Sequence, residues 1–394
     1  MDVKKKDQTS ALLLSTIAMV ISFALWSVMA PIATNIQSLY GLSEIQKSFL
    51  IVTPVVLGSI MRIPMGIVTD KYGGRKVYTL TMLFLIIPMV GAGFFHTYAL
   101  LLFFVFFIGM AGTTFAIAVS YVTKWFPPEK QGVVLGITGM GNMGTALASF
   151  TVPTLYTNFG LEWVFWGFAA AMAVMTLIFW AGTKELPNPQ EVVTLKTSLS
   201  VVKYKQTWVL SLFYFLTFGG FMAFSLYLPA IFQETFQFSA VRAGMITAGF
   251  VIAATCIRPL GGYLADIFNP ITVLKLLFIG IVLFALGMAF SGANFLLFSI
   301  SCAVMALLLG AGNGAVFKLV PQVSPTNTGA VTGFVSAVGG VGGFFPPVAL
   351  GMIKGITGGY AFGFLLLAVF TIGCLIVIRK LYDNRTTMRP KPTT

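Results

Sequence analysis

Charge is scarce in this chain: only 9% of its 394 residues are Asp, Glu, Lys or Arg. Beside 57% hydrophobic residues, that scarcity excludes both an ordinary soluble domain and a disordered one. Histidine occurs once, at His96, and Cys256, Cys302 and Cys374 stand singly in apolar stretches. No metal cluster, Cys-x-x-Cys pair or extracellular disulfide pattern can be built from them. The glycines lie within apolar runs and lack the strand-before-helix setting of a nucleotide-binding loop. The sequence therefore offers no enzyme motif, and no cofactor or metal is expected.

What is abundant is apolar sequence in runs of roughly 18 to 28 residues, and about 20 suffice to cross a bilayer as a helix. Twelve such segments are expected, at about 11–34, 48–69, 77–95, 98–123, 131–155, 163–182, 207–231, 241–265, 272–291, 293–320, 328–350 and 358–379. The first is too long for a signal-peptide core and has no convincing small-residue cleavage site, so it reads as a retained helix. The chain is thus an all-α, multi-pass membrane protein, whose surroundings are a lipid bilayer.

The net charge of +13 follows membrane topology, not nucleic acid. With both termini cytoplasmic, nineteen Lys and Arg residues fall inside, while only Lys47, Arg242 and Lys354 fall outside. The remaining two, Arg62 and Arg258, lie within apolar segments. Each opens the same frame, Arg-x-x-x-Gly-x-x-x-Asp, as Arg62, Gly66, Asp70 and as Arg258, Gly262, Asp266, offset by 196 residues. A charge placed in hydrocarbon costs about 2.5 to 3.5 kcal/mol on insertion scales, and no acidic residue shares the depth of either arginine. Such a pair calls for a counter-ion from outside the chain, a small anion.

The repeat extends further. In the fifth and eleventh segments Gly132 and Gly136 correspond to Gly329 and Gly333. Glycine clusters follow (Gly139, Gly141, Gly144; Gly339, Gly340, Gly342, Gly343), and then Pro153 and Pro346–Pro347. The longest polar interval, 183–206, divides the chain into six-helix bundles at 1–182 and 207–394. Two parallel six-helix halves with a site between them at mid-membrane describe an alternating-access carrier.

The sequence resembles the major facilitator superfamily over essentially its whole length. Asp70, Lys71, Gly73, Gly74, Arg75 and Lys76 resemble that superfamily's loop between helices two and three, with Lys71 in place of its arginine and Gly74 as an extra departure. A closer resemblance is to the nitrate/nitrite porter (NarK-type) family. It rests on Gly139-Met140-Gly141-Asn142-Met143-Gly144, on the run from Gly339 to Pro347, and on an arginine in each of helices two and eight. That resemblance implies nitrate and nitrite as substrates, a bacterial cytoplasmic (inner) membrane, and a monomer.

Asp70 and Asp266 mark the cytoplasmic helix ends, so at 1.5 Å per residue each arginine lies roughly 12 Å deeper, in the middle third of the membrane. A guanidinium suits a planar oxyanion, because its fork donates two parallel bonds to two oxygens and it cannot become neutral. Snorkelling or pairing with a backbone carbonyl is the structural alternative. Asn142 lies in a glycine-rich stretch where its amide can serve an anion or an interhelical bond; the resemblance favours the anion. Tyr214 and Phe218 share one helix face, and with Phe115 they resemble the family's aromatic positions, a slot one planar anion thick. The glycines allow close helix packing and, in a carrier, movement. The resemblance assigns Asp70, Lys71, Arg75 and Asp266 to a cytoplasmic gate, against the alternative of solvated helix-end charge.

Every acidic residue falls at a terminus, loop or helix end: Asp2, Asp7, Glu44, Asp70, Glu129, Glu162, Glu185, Glu191, Glu234, Asp266 and Asp383. His96 falls in an outside loop. No side chain is therefore placed to relay protons at mid-membrane. Anion exchange is the expected mechanism; nitrate/proton symport and, further off, a small-anion channel are the alternatives.

Overall fold

The computed structural model describes residues 5–94, 97–127, 131–185, 200–323 and 328–383. His96, Glu129, Lys130, Pro187, Pro189, Glu191, Lys196, Asp2, Lys4, Arg385, Arg389 and Lys391 lie outside the described residues. Among the described residues the chain is helical, without strands. The helices of the first half are α1 (Lys5–Tyr40), α2 (Glu44–Ile60 with Arg62–Tyr72), α3 (Gly74–Phe94), α4 (Tyr98–Thr123), α5 (Gln131–Gly139 with Gly144–Phe159) and α6 (Leu161–Gly182). Those of the second are α7 (Lys205–Phe236), α8 (Ala240–Ile267), α9 (Pro270–Ala289), α10 (Phe295–Val323), α11 (Thr328–Val341 with Phe345–Thr357) and α12 (Ala361–Ile378).

Ten of these are long and apolar enough to span a membrane, and α2 makes eleven when its two pieces count as one. The fifth segment, α5, is not among these. It is nonetheless one helical passage, carried through a 3-10 turn at Met140–Met143.

Outward faces of these helices are apolar, with Leu177, Leu276, Leu296 and Val369 all well exposed. In water such a surface would aggregate; in hydrocarbon it is the required coat, since the helices satisfy their own backbone groups.

Three local breaks aim side chains at the centre. α2 bends by 43° at Met61, because the ring of Pro64 clashes with the carbonyl of Ile60 and offers no N–H to it. α8 is interrupted at Ile257, where Pro259 stands in the same relation to Thr255. α7 widens into a π-turn at Phe215–Gly219, a distortion common at functional sites.

Contacts between the halves repeat the symmetry: α2 packs on α11, and α5 packs on α8. Small residues make these approaches possible. A Cβ on Gly351 of α11 would lie 2.8 Å from the Ser48 Cβ in α2, and one on Gly244 of α8 would lie 3.1 Å from the Pro153 ring in α5.

Candidate functional site

Arg62 opens the second piece of α2 and is 1% exposed. Its Nε donates to the Gly112 carbonyl of α4 at 3.2 Å, and its Nη1 donates to the Ser336 carbonyl of α11 at 2.9 Å. The first bond stays within one half and the second crosses to the other. Its Nη2 is buried without a partner. Trp26, Phe115 and Phe218 surround the guanidinium, with ring centroids 5.5, 5.4 and 5.4 Å from Cζ. Cation–π contact of this kind contributes about 2 kcal/mol or more per ring where water is excluded, which offsets part of the cost of burial but leaves the charge unbalanced.

Arg258 opens the second piece of α8 and is half-buried. Its Cζ lies 5.5 Å from the Phe218 centroid and 5.7 Å from that of Phe221. The Tyr214 side chain interacts with it, and the two guanidinium charges are close enough to repel each other. Phe218 is therefore a ring shared by both arginines. The π-turn that carries it stacks it on Tyr214, 5.0 Å between centroids and 5° from parallel. Among the described residues neither arginine forms an ion pair.

The sequence-predicted residues do not all converge. Arg62, Arg258, Tyr214, Phe218 and Phe115 come together. Asn142 is buried, and its Nδ2 donates to the Gly139 carbonyl one turn back at 2.7 Å, while its Oδ1 has no partner. Of the glycines, Gly141 lies against Met19, Gly144 against the α1 backbone, Gly339 against the Tyr214 ring, and Gly343 against Met222. Gly340 meets Ser59 and Arg62, and Gly342 meets Gly219. Gly139 departs from the expected packing role: a Cβ there would meet nothing within 4 Å, and what it supplies is the carbonyl that Asn142 uses.

At the end of the bundle where α6 leads into the polar interval, here the linker end, contacts run within each half. Asp70 accepts from Ser120 at 2.5 Å and pairs with Lys124 at 2.8 Å. Asp266 pairs with Lys318 in the second half. Arg75 lies 3.9 Å above the Trp180 ring and donates to the Trp180 carbonyl, whereas the Lys71 ammonium lies over Tyr72. Glu185 accepts from the backbone nitrogens of Gly74, Arg75 and Lys76 at 3.1, 2.9 and 3.3 Å, which neutralises the exposed start of α3.

The opposite, far end is tied across the halves by a cluster that sequence reasoning missed. Lys47 of α2, fully buried, bonds Glu44 at 2.8 Å and Glu234 of α7. Lys354 of α11 pairs with Glu44 at 3.1 Å and with Glu234. Tyr360 donates to Glu234 at 2.5 Å; burial, and then the Glu234 charge, push its hydroxyl pKa up, so it remains a donor. Two lysines and two glutamates on one side were visible in the sequence, but their joining across the halves depends on how α2, α7 and α11 meet. Trp26 and Phe221 were also missed, since nothing marks one aromatic among so many.

A site between two helical halves, sealed at one end by inter-half ion pairs and carrying charge that no carboxylate among the described residues balances, has the make-up of a membrane transporter. A sequence model described as Major Facilitator Superfamily matches residues 15–347 and 210–394. The nitrite extrusion protein of Bacillus subtilis (strain 168) is 35% identical over 370 residues, covering 94% of this chain and 93% of that protein. The probable nitrate transporter NarT of Staphylococcus haemolyticus (strain JCSC1435) is 36% identical over 95% of this chain and 97% of its own length. The probable nitrate/nitrite transporter NarK2 of Mycobacterium tuberculosis (strain ATCC 25618 / H37Rv) is 35% identical, over 94% and 95%. In fold, the chain is similar to an inward-facing bacterial homolog of the human lysosomal transporter Spinster, with a TM-score of 0.73 at 20% identity over 99% of this chain and 100% of that one. The chain belongs to the Major Facilitator Superfamily and, within it, to the nitrate/nitrite porters.

Proposed function

We propose that this protein exchanges nitrate for nitrite across the bacterial cytoplasmic membrane, as a monomer, by alternating access. The observation that carries the reading is the pair of guanidiniums that share the Phe218 ring with no carboxylate among the described residues to balance them. The names of the relatives support the substrates, and the alternation of basic loops supports a cytoplasmic linker end. The far-end cluster and the separate linker-end ion pairs then correspond to an inward-facing state.

Arg62 and Arg258 supply the anion's counter-charge, Tyr214 a hydroxyl donor, and Phe115 and Phe218 the flat walls that fit a planar ion. Asn142 joins them once its amide turns from Gly139. Asp70, Lys71, Arg75 and Asp266 re-pair across the halves when the linker end closes. Closing the empty site confines two positive charges in low dielectric, and a bound monovalent anion removes one of them. The loaded protein switches and the empty one stalls, which makes nitrate-for-nitrite exchange obligatory and electroneutral.

Counterflow in vesicles tests this. Vesicles preloaded with nitrite should take up labelled nitrate at least about tenfold faster than vesicles with no internal exchangeable anion, the ratio expected from about 1.4 kcal/mol of difference in switching barrier. Equal uptake into anion-free vesicles driven by a pH gradient would instead establish proton symport.

A further inference from the structure

Buried serines and threonines in these helices usually satisfy themselves by donating to the carbonyl one turn back, as Ser22, Thr81, Thr138, Thr176, Thr247 and Thr371 do. Ser59 and Thr255 forgo that bond. They are 0% and 2% exposed, and neither hydroxyl has a hydrogen-bond partner. A buried polar group normally finds one. Ser15, Thr207, Ser211 and Thr217 share the lack, but Ser59 and Thr255 form a symmetric pair that calls for an explanation of its own.

Their positions supply it. The offset of 196 that relates Arg62 to Arg258 also relates Ser59 to Thr255 and the helix breaks at Met61 and Ile257. Each hydroxyl stands three residues before its arginine, toward the far end and just across the helix break. For Ser59 the proximity is direct. A methyl group on Gly340 would lie 2.6 Å from Ser59 Oγ and 3.1 Å from Arg62 Nη1, so hydroxyl and guanidinium abut the same point of α11. Arg62 Nη2 is likewise buried and unpartnered. Ser59 Oγ and Arg62 Nη2 are thus two donors without an acceptor beside one point of α11, and an anion's oxygen would supply it. In a state sealed at the far end, an ion arriving from the linker end meets the guanidiniums first and the two hydroxyls beyond them.

We propose that Ser59 and Thr255 are anion ligands that set the preference between planar anions of three and two oxygens. This rests on the assignment of Arg62 and Arg258 to the anion site. Nitrate presents a third oxygen beyond the two that face the guanidiniums, and a hydroxyl across the helix break can donate to it. Nitrite has no third oxygen and loses less when the hydroxyl is removed.

The test uses the full chain in proteoliposomes, with nitrate and nitrite counterflow measured over a range of concentrations. Ser59→Ala and Thr255→Val should each raise the half-saturating nitrate concentration at least about tenfold, the effect expected of one lost hydrogen bond to a charged partner. Nitrite should shift by less than about twofold, with maximal rate and unfolding temperature unchanged. Ser59→Thr and Thr255→Ser, which keep the hydroxyl, should keep the wild-type nitrate-to-nitrite ratio and serve if the first variants fold poorly. A ratio unmoved in all hydroxyl-deleting variants, or a fall in unfolding temperature with the ratio intact, overturns the assignment. Arg62→Lys in the same vesicles separates the two levels. If wild type shows no nitrate counterflow, or Arg62→Lys keeps it, the anion site itself is wrong and the ligand assignment falls with it. If wild type is active, Arg62→Lys is dead and the ratio is unmoved, only the hydroxyl assignment falls.

Discussion

Arg62 spends Nε and Nη1 on backbone carbonyls of α4 and α11 and keeps Nη2 unpaired. A lysine in its place could reach at most a single point with a freely rotating ammonium, and could not hold two carbonyls while presenting a third donor. Arg62→Lys and Arg258→Lys should therefore each lower nitrate transport at least about tenfold, since a charge-assisted bond is worth about 1.5 to 3 kcal/mol. Both variants should elute and unfold like wild type. Uptake at the wild-type rate, at matched protein per vesicle, would remove the arginines from the site. The arginines were legible in the sequence because a charge has no ordinary reason to lie in an apolar segment. Trp26 was not, although its ring covers Arg62 and its Nε1 donates to the Pro54 carbonyl at 2.9 Å. Aromatic residues make up 14% of the chain, so no single ring carries a signal until the helices are packed.

At the scale of the helix, the membrane segments were legible from apolar run length, and their ends were not. The first apolar run read as closing near residue 34, whereas α1 continues through a 3-10 turn at Ala30–Ile32 to Tyr40. Polar residues such as Asn35, Gln37 and Ser38 end the hydropathy signal there without ending the hydrogen-bond ladder. The breaks in α2 and α8 follow from Pro64 and Pro259, and the π-turn of α7 has no such marker. Glycine spacing gave the helices that approach closely without saying which glycine makes each contact. Gly144 and Gly139 provide a contrast: a Cβ at the first would press on the Val20 carbonyl and the Ala24 nitrogen of α1, and one at the second would enter open space. Gly144→Ala should destabilise the protein by about 1 to 3 kcal/mol, whereas Gly139→Ala should be neutral within about 0.5 kcal/mol. Thermal unfolding in detergent measures both, and equal losses would contradict the packing described for α1 and α5.

The whole molecule is held shut at one end by two lysines and two glutamates shared between the halves, of which Lys47 is buried and the others half-buried. Neither half is complete without the other there: Lys47 and Glu44 come from the first, Glu234 and Lys354 from the second. Replacing Glu234 leaves the buried Lys47 short of a partner, at a cost below the roughly 3 to 5 kcal/mol of a fully buried pair because the rest of the cluster reaches solvent. That cost falls on the far-end-closed state alone, so Glu234→Gln should populate the opposite state. A cysteine at Ser48, which is covered by Gly351 in the closed state, should then react with an impermeant maleimide from the far side about tenfold faster or more. Unchanged labelling would mean that the cluster does not hold the halves together. The two-fold repeat was readable from the 196-residue offset, because it is written in residue identity. The seal was not, because it is written only in how the halves meet.

The proposed function has residue, helix and whole molecule all serve one monovalent anion held by two guanidiniums. Calorimetric titration of the purified wild-type protein with nitrate, repeated in the presence of nitrite, measures that directly. One site per chain is expected, saturable by either ion and blocked for nitrate once nitrite fills it. Two independent sites per chain, or nitrate binding unaffected by saturating nitrite, would contradict it.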